Sequence, residues 1–337
     1  MTVSGRPGLR YLSAADVRAA MPTLEERLRL AERTMTALAD GSGELPPKIA
    51  VHPRPAGSFA HAMPAHLRGG HDAAVGDLLG MKWIAGFPDN RNLNLPAIHG
   101  LVVLSDAQTG VPTAILDAGP ITAERTAAVS GVAIARFAPS TRGRAARVAI
   151  IGAGVQGRSH LPVVADLLPD AEMLIFDRHR ERAAALAGEA ESIAGIGRAR
   201  AAQTAQEATA PADIVITAAS FAPAAERQIL TNDWLGPEAL VVAVDYATYV
   251  AASVARSAAL FLTDQREQFL ANRQAGNFDG YPDPGATLGE AILAETPRPE
   301  GGRVVVSHLG VGLADLVFGD AILRRAEQLN LGTILAT

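Results

Sequence analysis

The sequence predicts an α/β fold in which a doubly wound Rossmann dinucleotide-binding domain is joined to a strand-rich α+β domain. Three observations predict it. An apolar, largely β-branched run, Arg147-Val148-Ala149-Ile150-Ile151, ends abruptly in Gly152-x-Gly154-x-x-Gly157. A second apolar run, Met173-Leu174-Ile175-Phe176, ends in Asp177, twenty residues beyond Gly157. From Arg147 to about Val306 short apolar runs alternate with helical patterns, whereas the segment before them reads as a meander of short strands.

In chain order, Ser13 or Ala14 opens a short helix within a helical stretch from Tyr11 to Ala39. Thr23 followed by Glu26 is the capping pattern of a second helix, whose buried stripe would be Leu24, Leu28, Leu30, Ala31 and Met35. After Gly41-Ser42-Gly43 the pattern changes to strands at 48–52, 58–63, 78–84, 99–105 and 112–117, the last two joined by the turn residues Asp106-Ala107-Gln108-Thr109-Gly110. Consecutive strands of this kind predict a mostly antiparallel layer. A helix of small residues follows, capped by Thr122 and running to about Ala133. The parallel sheet takes strands 148–151, 174–176, 214–217, 240–244, 260–262 and 304–306, and a last helix spans 315–330.

Composition narrows the chemistry. With 337 residues and 48% hydrophobic content, two cores are expected. The net charge of −5 gives no general attraction to nucleic acid or to an anionic membrane. Cysteine is absent, which excludes disulfides, thiolate nucleophiles and cysteine-ligated metal. The Met1 end has no charged n-region leading into an apolar stretch, and no run approaches the ~20 apolar residues of a membrane span, so a soluble cytoplasmic protein is expected. The eight histidines show no metal-ligand spacing and no Gly-x-Ser-x-Gly nucleophile motif stands out, so no metal is expected.

The glycines of the loop act separately. Gly152 permits the tight turn, Gly154 lets backbone approach a pyrophosphate, and Gly157 packs helix on strand. The N–H groups around Val155 and Gln156 open the helix and face an anion together with its positive dipole end. Asp177 falls where an acid binds the adenosine ribose and favours NAD; the basic residues Arg178, Arg180 and Arg182 leave NADP open. Lys82 sits inside an apolar strand, on the face of Gly80 and Ile84, and either faces water from a sheet edge or serves a site. Arg125, read as lying in the first turn of the Thr122 helix, opposes the helix dipole; it either binds a carboxylate ligand or pairs with Glu124 or Asp117. Asp245 ends a strand, where ligands of parallel sheets bind, and is either a catalytic acid or a helix cap. His52, His61, His66, His99 and His308 remain ambiguous.

Taken together, Lys82-Trp83-Ile84-Ala85-Gly86-Phe87-Pro88-Asp89-Asn90, Leu95-Pro96-x-x-x-Gly100, Asp106-x-x-Thr109-Gly110-x-Pro112-x-Ala114-x-x-Asp117 and Ile121-Thr122-x-x-Arg125-Thr126-Ala127-Ala128 resemble the ornithine cyclodeaminase/μ-crystallin family. Gly152-x-Gly154-x-x-Gly157 and Gly310-x-x-x-x-Asp315 fit the same family in the same order. The resemblance implies that Lys82 and Arg125 hold a substrate carboxylate, with Lys48 a further basic ligand. It also implies Thr126, Ser220 and His308 as cofactor-binding residues beside the glycine loop. The implied division is 1–129 with 307–337 as the substrate-binding and dimerisation domain and 130–306 as the NAD(P)-binding domain, in a homodimer. Two positions depart from the family pattern. The aspartate of its Gly-Ala-Asp motif falls at Ala247, with Asp245 two residues earlier, and Glu124 places an acid beside Arg125. Because a cyclodeaminase needs that aspartate to manage a distal amine, the expected activity is an NAD(P)-dependent oxidoreductase acting on an amino acid or its imine. Lys82 and Arg125 would clamp the carboxylate, Asp245 would transfer the proton, and Glu124 would be the reserve. The alternatives are a cyclodeaminase with bound NAD and a ligand-binding protein like μ-crystallin.

Overall fold

The computed structural model describes residues 8–69 and 76–336. Residues 1–7, 70–75 and 337, included in the expected first domain, lie outside the described residues. The chain divides into two compact units, Met1–Arg125 with Val311–Thr337, and Thr126–Gly310. The expected boundaries at 129 and 306 each differ from these by four residues.

The elements run in the order β1 (Leu9–Leu12), α1 (Ala14–Ala19), α2 (Leu24–Asp40), β2 (Gly43–Glu44), β3 (Ile49–Val51), β4 (Phe59–Leu67), β5 (Leu78–Gly86), β6 (Ile98–Ser105), β7 (Pro112–Asp117) and α3 (Ala118–Phe137). They continue with β8 (Arg147–Ile151), α4 (Val155–Leu167), β9 (Ala171–Phe176), α5 (Arg180–Glu191), β10 (Ile196–Ala201), α6 (Ala205–Thr209), β11 (Ile214–Thr217), β12 (Leu240–Ala243), α7 (Ala252–Ser257), β13 (Leu260–Thr263), α8 (Arg266–Gln274), β14 (Ala286–Thr287), α9 (Leu288–Leu293), β15 (Val304–Ser307), α10 (Gly312–Gln328) and β16 (Thr333–Leu335).

In the first unit the strands form a mostly antiparallel sheet in the order β16-β1-β7-β6-β5-β4-β2, with β3 also on β4. Tyr11 and Leu12, expected at the start of a helical stretch, belong to β1, which pairs parallel to β7. Capping boxes at Ser13 with Asp16 and at Thr23 with Glu26 open α1 and α2. Along α2 the buried positions are Ala31, Thr34, Met35 and Ala37, while Leu24, Leu28 and Leu30 are half-buried.

The register of this sheet positions the site. Met63, Lys82, Val102, Leu116 and Leu12 lie opposite one another in successive strands and so share one face. Helix α10 covers that face through Gly312, Asp315 and Gly319, spaced i, i+3, i+7 on one side of the helix. A Cβ at Gly312 would lie 2.6 Å from the Met63 carbonyl oxygen, and one at Gly319 would lie 3.3 Å from Val102 Cγ1. The helix therefore approaches closely, and Asp315 is held against the strands between the two glycines. On the opposite face Trp83 is 42% exposed and Leu101, its partner in β6, 38%.

The second unit is a parallel sheet in the order β10-β9-β8-β11-β12-β15-β13-β14. Its central strands β8, β11, β12 and β15 are apolar and buried throughout, apart from Arg147, Thr217 and Ser307, as expected when helices cover both faces. The order reverses between β8 and β11, which makes a switch point at their carboxyl ends. Strands β10 and β14 were not expected: β10 carries Gly197, Arg198 and Arg200 in place of an apolar run, and β14 has two residues. No helix among the described residues is long and apolar enough to cross a membrane.

Helix α3 corrects one expectation. It begins at Ala118, not at Thr122, so Arg125 is its eighth residue and lies beyond the first turn. Asp117 Oδ1 accepts the Gly119 backbone N–H at 2.8 Å, satisfying a donor at the helix start, and Pro120 is tolerated in the first turn because no intrahelical N–H is needed there. Arg125 therefore does not oppose the positive end of the helix dipole, and its environment is set by its partners.

Candidate functional site

At the carboxyl end of β8 the three glycines separate by function. Gly152 has φ +108°, and a Cβ there would lie 2.4 Å from the Ala218 carbonyl oxygen. A Cβ on Gly157 would lie 2.1 Å from the Gly152 carbonyl oxygen, so this glycine lets α4 rest on the loop. Gly154, which caps α4, has nothing within 4 Å of an added Cβ. Open space beside a helix N-terminus is what a pyrophosphate needs, and Val155, 69% exposed, begins the helix there. Asp177, half-buried at the end of β9, accepts the Ala153 N–H at 2.8 Å and the His179 N–H at 2.9 Å, which fixes its carboxylate over the same loop. Arg178 is exposed beside it. These residues fit the diphosphate and adenosine ribose of a dinucleotide.

The glycines give a paired prediction. Gly157→Ala is expected to lower both thermal stability and cofactor affinity, since its methyl group collides with backbone. Gly154→Ala is expected to keep the parent melting temperature within about 2 °C and lose dinucleotide affinity. Calorimetric titration with NADH alongside thermal unfolding checks both, and parent-like NADH binding by Gly154→Ala would remove the phosphate role of the loop.

Further along the same carboxyl edge, Asp245 follows β12 and is 4% exposed. Its Oδ2 accepts the Ala219 N–H at 3.3 Å. Burial pushes its carboxyl up to about 6, opposed by hydrogen bonds from Thr217 and the Ala219 and Tyr249 backbone. The next two residues, Tyr246 and Ala247, both have left-handed φ, +56° and +57°. Ala247 is fully buried. Ser220 is exposed in the loop after β11, and His308 follows β15 and is buried.

In the first unit, Lys82 is 1% exposed, Arg125 5% and Asp315 0%. Lys82 Nζ lies 2.7 Å from Asp315 Oδ2, and Arg125 Nε lies 3.2 Å from Asp315 Oδ1. One carboxylate thus bridges two buried cations. Asp315 also sits in the first turn of α10, where the helix dipole favours negative charge. Burial pulls the Lys82 ammonium down to about 7, with Asp315 opposing the fall and Arg125 and Lys48 adding to it. Lys48, just before β3, and His61 on β4 lie close enough to be felt electrostatically; burial first, then Lys48, His52 and Lys82, hold His61 neutral down to about 4. Glu124 turns to another partner, the Arg27 guanidinium of α2.

A model of the ornithine cyclodeaminase/mu-crystallin family matches residues 11–316. The chain belongs to this family. It is 33% identical over 97% of its length, and 98% of the relative's, to the nodulation efficiency protein NfeD of Rhizobium meliloti. To the ketimine reductase mu-crystallin of Mus musculus it is 30% identical over 77% of this chain and 78% of that one. Among solved structures, the Thermococcus litoralis Delta(1)-pyrroline-2-carboxylate reductase in complex with NADH and L-proline superimposes with a TM-score of 0.83 at 22% identity, covering 97% of this chain and 100% of that one. That superposition shows the fold, a Rossmann unit with a strand-rich second unit.

Against the cyclodeaminase/mu-crystallin pattern, the structure brings Lys82 and Arg125 together and adds Asp315, a residue of the Gly310-x-x-x-x-Asp315 signature with no role assigned from sequence. Its only sequence signal is an acid in an apolar helix, at the position that faces a sheet. Gly152, Gly154, Val155, Gln156, Gly157 and Asp177 gather at one loop, and Asp245, Ser220 and His308 follow neighbouring strand ends of the second unit. Glu124 is in an ion pair with Arg27, while Thr126 is a buried helical residue. At the family's aspartate position, Ala247 adopts a left-handed conformation that Asp takes up more readily than Ala.

Asp245 gives a prediction with opposite effects on stability and turnover. Its folded pKa of about 6 lies above the ordinary 3.8, so the native state holds a proton that the unfolded chain releases between about pH 4 and 6. Stability from this group is present below about pH 4 and lost as pH rises through 6. Asp245→Asn is expected to be more stable than the parent at pH 7, equal to it near pH 4, and to lack an activity limb near pH 6. A variant with the parent's pH–rate profile rules out proton transfer by Asp245.

Proposed function

We propose that the chain is an NAD(P)-dependent oxidoreductase acting on an amino acid or its imine. The observation that carries this reading is the Lys82–Asp315–Arg125 cluster. With Lys82 protonated, two cations against one carboxylate leave a single positive charge in a buried place, and a substrate carboxylate is the group that would neutralise it. Asp315 keeps both cations oriented, and Lys48 contributes to the same field. A nicotinamide, when bound, supplies or accepts the hydride at the substrate Cα. Asp245 titrates near neutrality and is the proposed proton-transfer group, with Lys82, also near 7, able to exchange a proton at the bound substrate.

NAD(H) is the proposed cofactor because Asp177 would repel a 2′-phosphate; Arg178 and Arg180 are the groups that would favour NADP. The names of the mouse ketimine reductase and of the reductase bound to NADH and L-proline support the activity class. The reaction draws on the soluble nicotinamide pool, so a cytoplasmic protein is part of the proposal. A homodimer is proposed through the exposed apolar sheet face of the first unit around Trp83 and Leu101.

The test is an NAD(P)H-coupled screen of amino acids, and of 2-oxo acids with amines, with ammonia release measured in parallel. Substrate-dependent change in NAD(P)H supports the oxidoreductase. Ammonia released from a diamino acid without net NADH change would instead establish the cyclodeaminase, and ligand binding without turnover the binding protein. Tighter NADPH than NADH binding would show that the arginines outweigh Asp177.

A further inference from the structure

In the second unit a buried chain of hydrogen bonds links His308, an expected cofactor residue, to Ser130 and His160, for which the sequence implies no role. His160 on α4, Ser130 on α3 and His308 after β15 are 0%, 0% and 2% exposed. His160 Nδ1 lies 2.6 Å from the Gln156 carbonyl oxygen, His160 Nε2 lies 2.8 Å from Ser130 Oγ, and Ser130 Oγ lies 2.9 Å from His308 Nε2.

The partners dictate where each proton resides. A carbonyl only accepts, so His160 Nδ1 carries a hydrogen and donates it to Gln156. Burial holds His160 neutral, down to about 4, so its Nε2 is bare and accepts. Ser130 has one proton and gives it to that nitrogen. The Ser130 oxygen is left to accept from His308, which must carry its hydrogen on Nε2. In the neutral ring, Nδ1 of His308 is then the basic, accepting nitrogen. Without His160 the serine hydroxyl is free to turn and donate to His308 Nε2. The hydrogen of His308 then moves to Nδ1, and an acceptor becomes a donor.

Topology says which part of a dinucleotide His308 serves. The glycine loop and Asp177 lie at the ends of β8 and β9, so the adenosine half belongs to the β8-β9-β10 side of the switch point. The nicotinamide half must then lie over β11, β12 and β15, and His308 directly follows β15, its N–H bonded to the Ala243 carbonyl at the end of β12. We propose that Ser130 and His160 are positioning residues that lock His308 with Nδ1 as acceptor for a hydrogen-bond donor of the nicotinamide nucleoside. This rests on the reading of the second unit as a dinucleotide site. The chain also ties the first turn of α4, through the Gln156 carbonyl, to the end of β15, so the two halves of the cofactor site share one hydrogen-bonded network.

The experiment is calorimetric titration of the full-length parent, Ser130→Ala, Ser130→Thr and His160→Phe with NADH and, separately, with ADP, which lacks the nicotinamide nucleoside. The expected result is NADH affinity weakened roughly tenfold in Ser130→Ala and His160→Phe, unchanged ADP affinity, and recovery in Ser130→Thr, which keeps the hydroxyl. Equal weakening of NADH and ADP, or parent-like NADH affinity in both Ser130→Ala and His160→Phe, overturns the proposal while leaving the dinucleotide site intact. A parent protein that binds neither NADH nor ADP overturns the dinucleotide reading on which it stands.

Discussion

Arg125→Ala is expected to lower kcat/KM for the best substrate by about 2–4 kcal/mol, roughly 30- to 1000-fold, while changing the NADH dissociation constant little. The guanidinium is 5% exposed, and its ion-pair partner is Asp315 at 3.2 Å. Truncation leaves the Lys82–Asp315 pair intact but electrically balanced, so the surplus positive charge that would attract a carboxylate disappears. Arg125→Lys should recover little of the loss, because a point charge cannot reproduce the two parallel hydrogen bonds that set the direction of a carboxylate, and hence of Cα. The assay is steady-state kinetics beside NADH titration, and kcat/KM within a few-fold of the parent would end the carboxylate-clamp reading.

Asp315→Asn should do more damage to the fold than to any single binding step. The change is nearly isosteric, yet it leaves two buried cations without their shared counter-charge, and uncompensated buried charge costs about 3–5 kcal/mol. The pH dependence of this loss has a definite sign. In the parent, Lys82 has a folded pKa of about 7 against an ordinary 10.5. Between those values the unfolded chain holds the extra proton, so stability from this group increases with pH across the window. Asp315 is the group that holds the Lys82 pKa up, so without it Lys82 releases its proton at still lower pH. The deficit of Asp315→Asn is therefore largest at low pH, shrinks as pH rises to about 7, and stays level from there to pH 10. Urea unfolding at pH 6 and pH 9 measures it, and a loss under about 1 kcal/mol at pH 6 would show that the cluster does not carry the charge described.

What the sequence determined by itself are the local features. The strand–glycine–helix turn at Gly152, the acid twenty residues beyond Gly157, and the cap at Thr23 are each written within a few residues, because turn geometry, cap hydrogen bonds and strand alternation depend on near neighbours. The long blocks around Lys82 and Arg125 carried the resemblance to the family. Where local signals compete, the sequence misled: Thr122 looks like a cap, but Asp117 already satisfies the helix start, and β10 hides behind arginines.

What only the tertiary structure decided is which charges share a buried place. Lys82 could be read as a solvated edge residue until the register put it on the covered face of a central strand. Arg125 had Glu124 and Asp117 as nearer acids in the chain, yet its ion-pair partner is Asp315, 190 residues away. Ser130 lies 30 residues from His160 and 178 from His308. No local rule links such positions. Their pairing follows from how closely a glycine-flanked helix can approach a sheet, and from the requirement that charges and polar atoms taken out of water find partners wherever the fold supplies them.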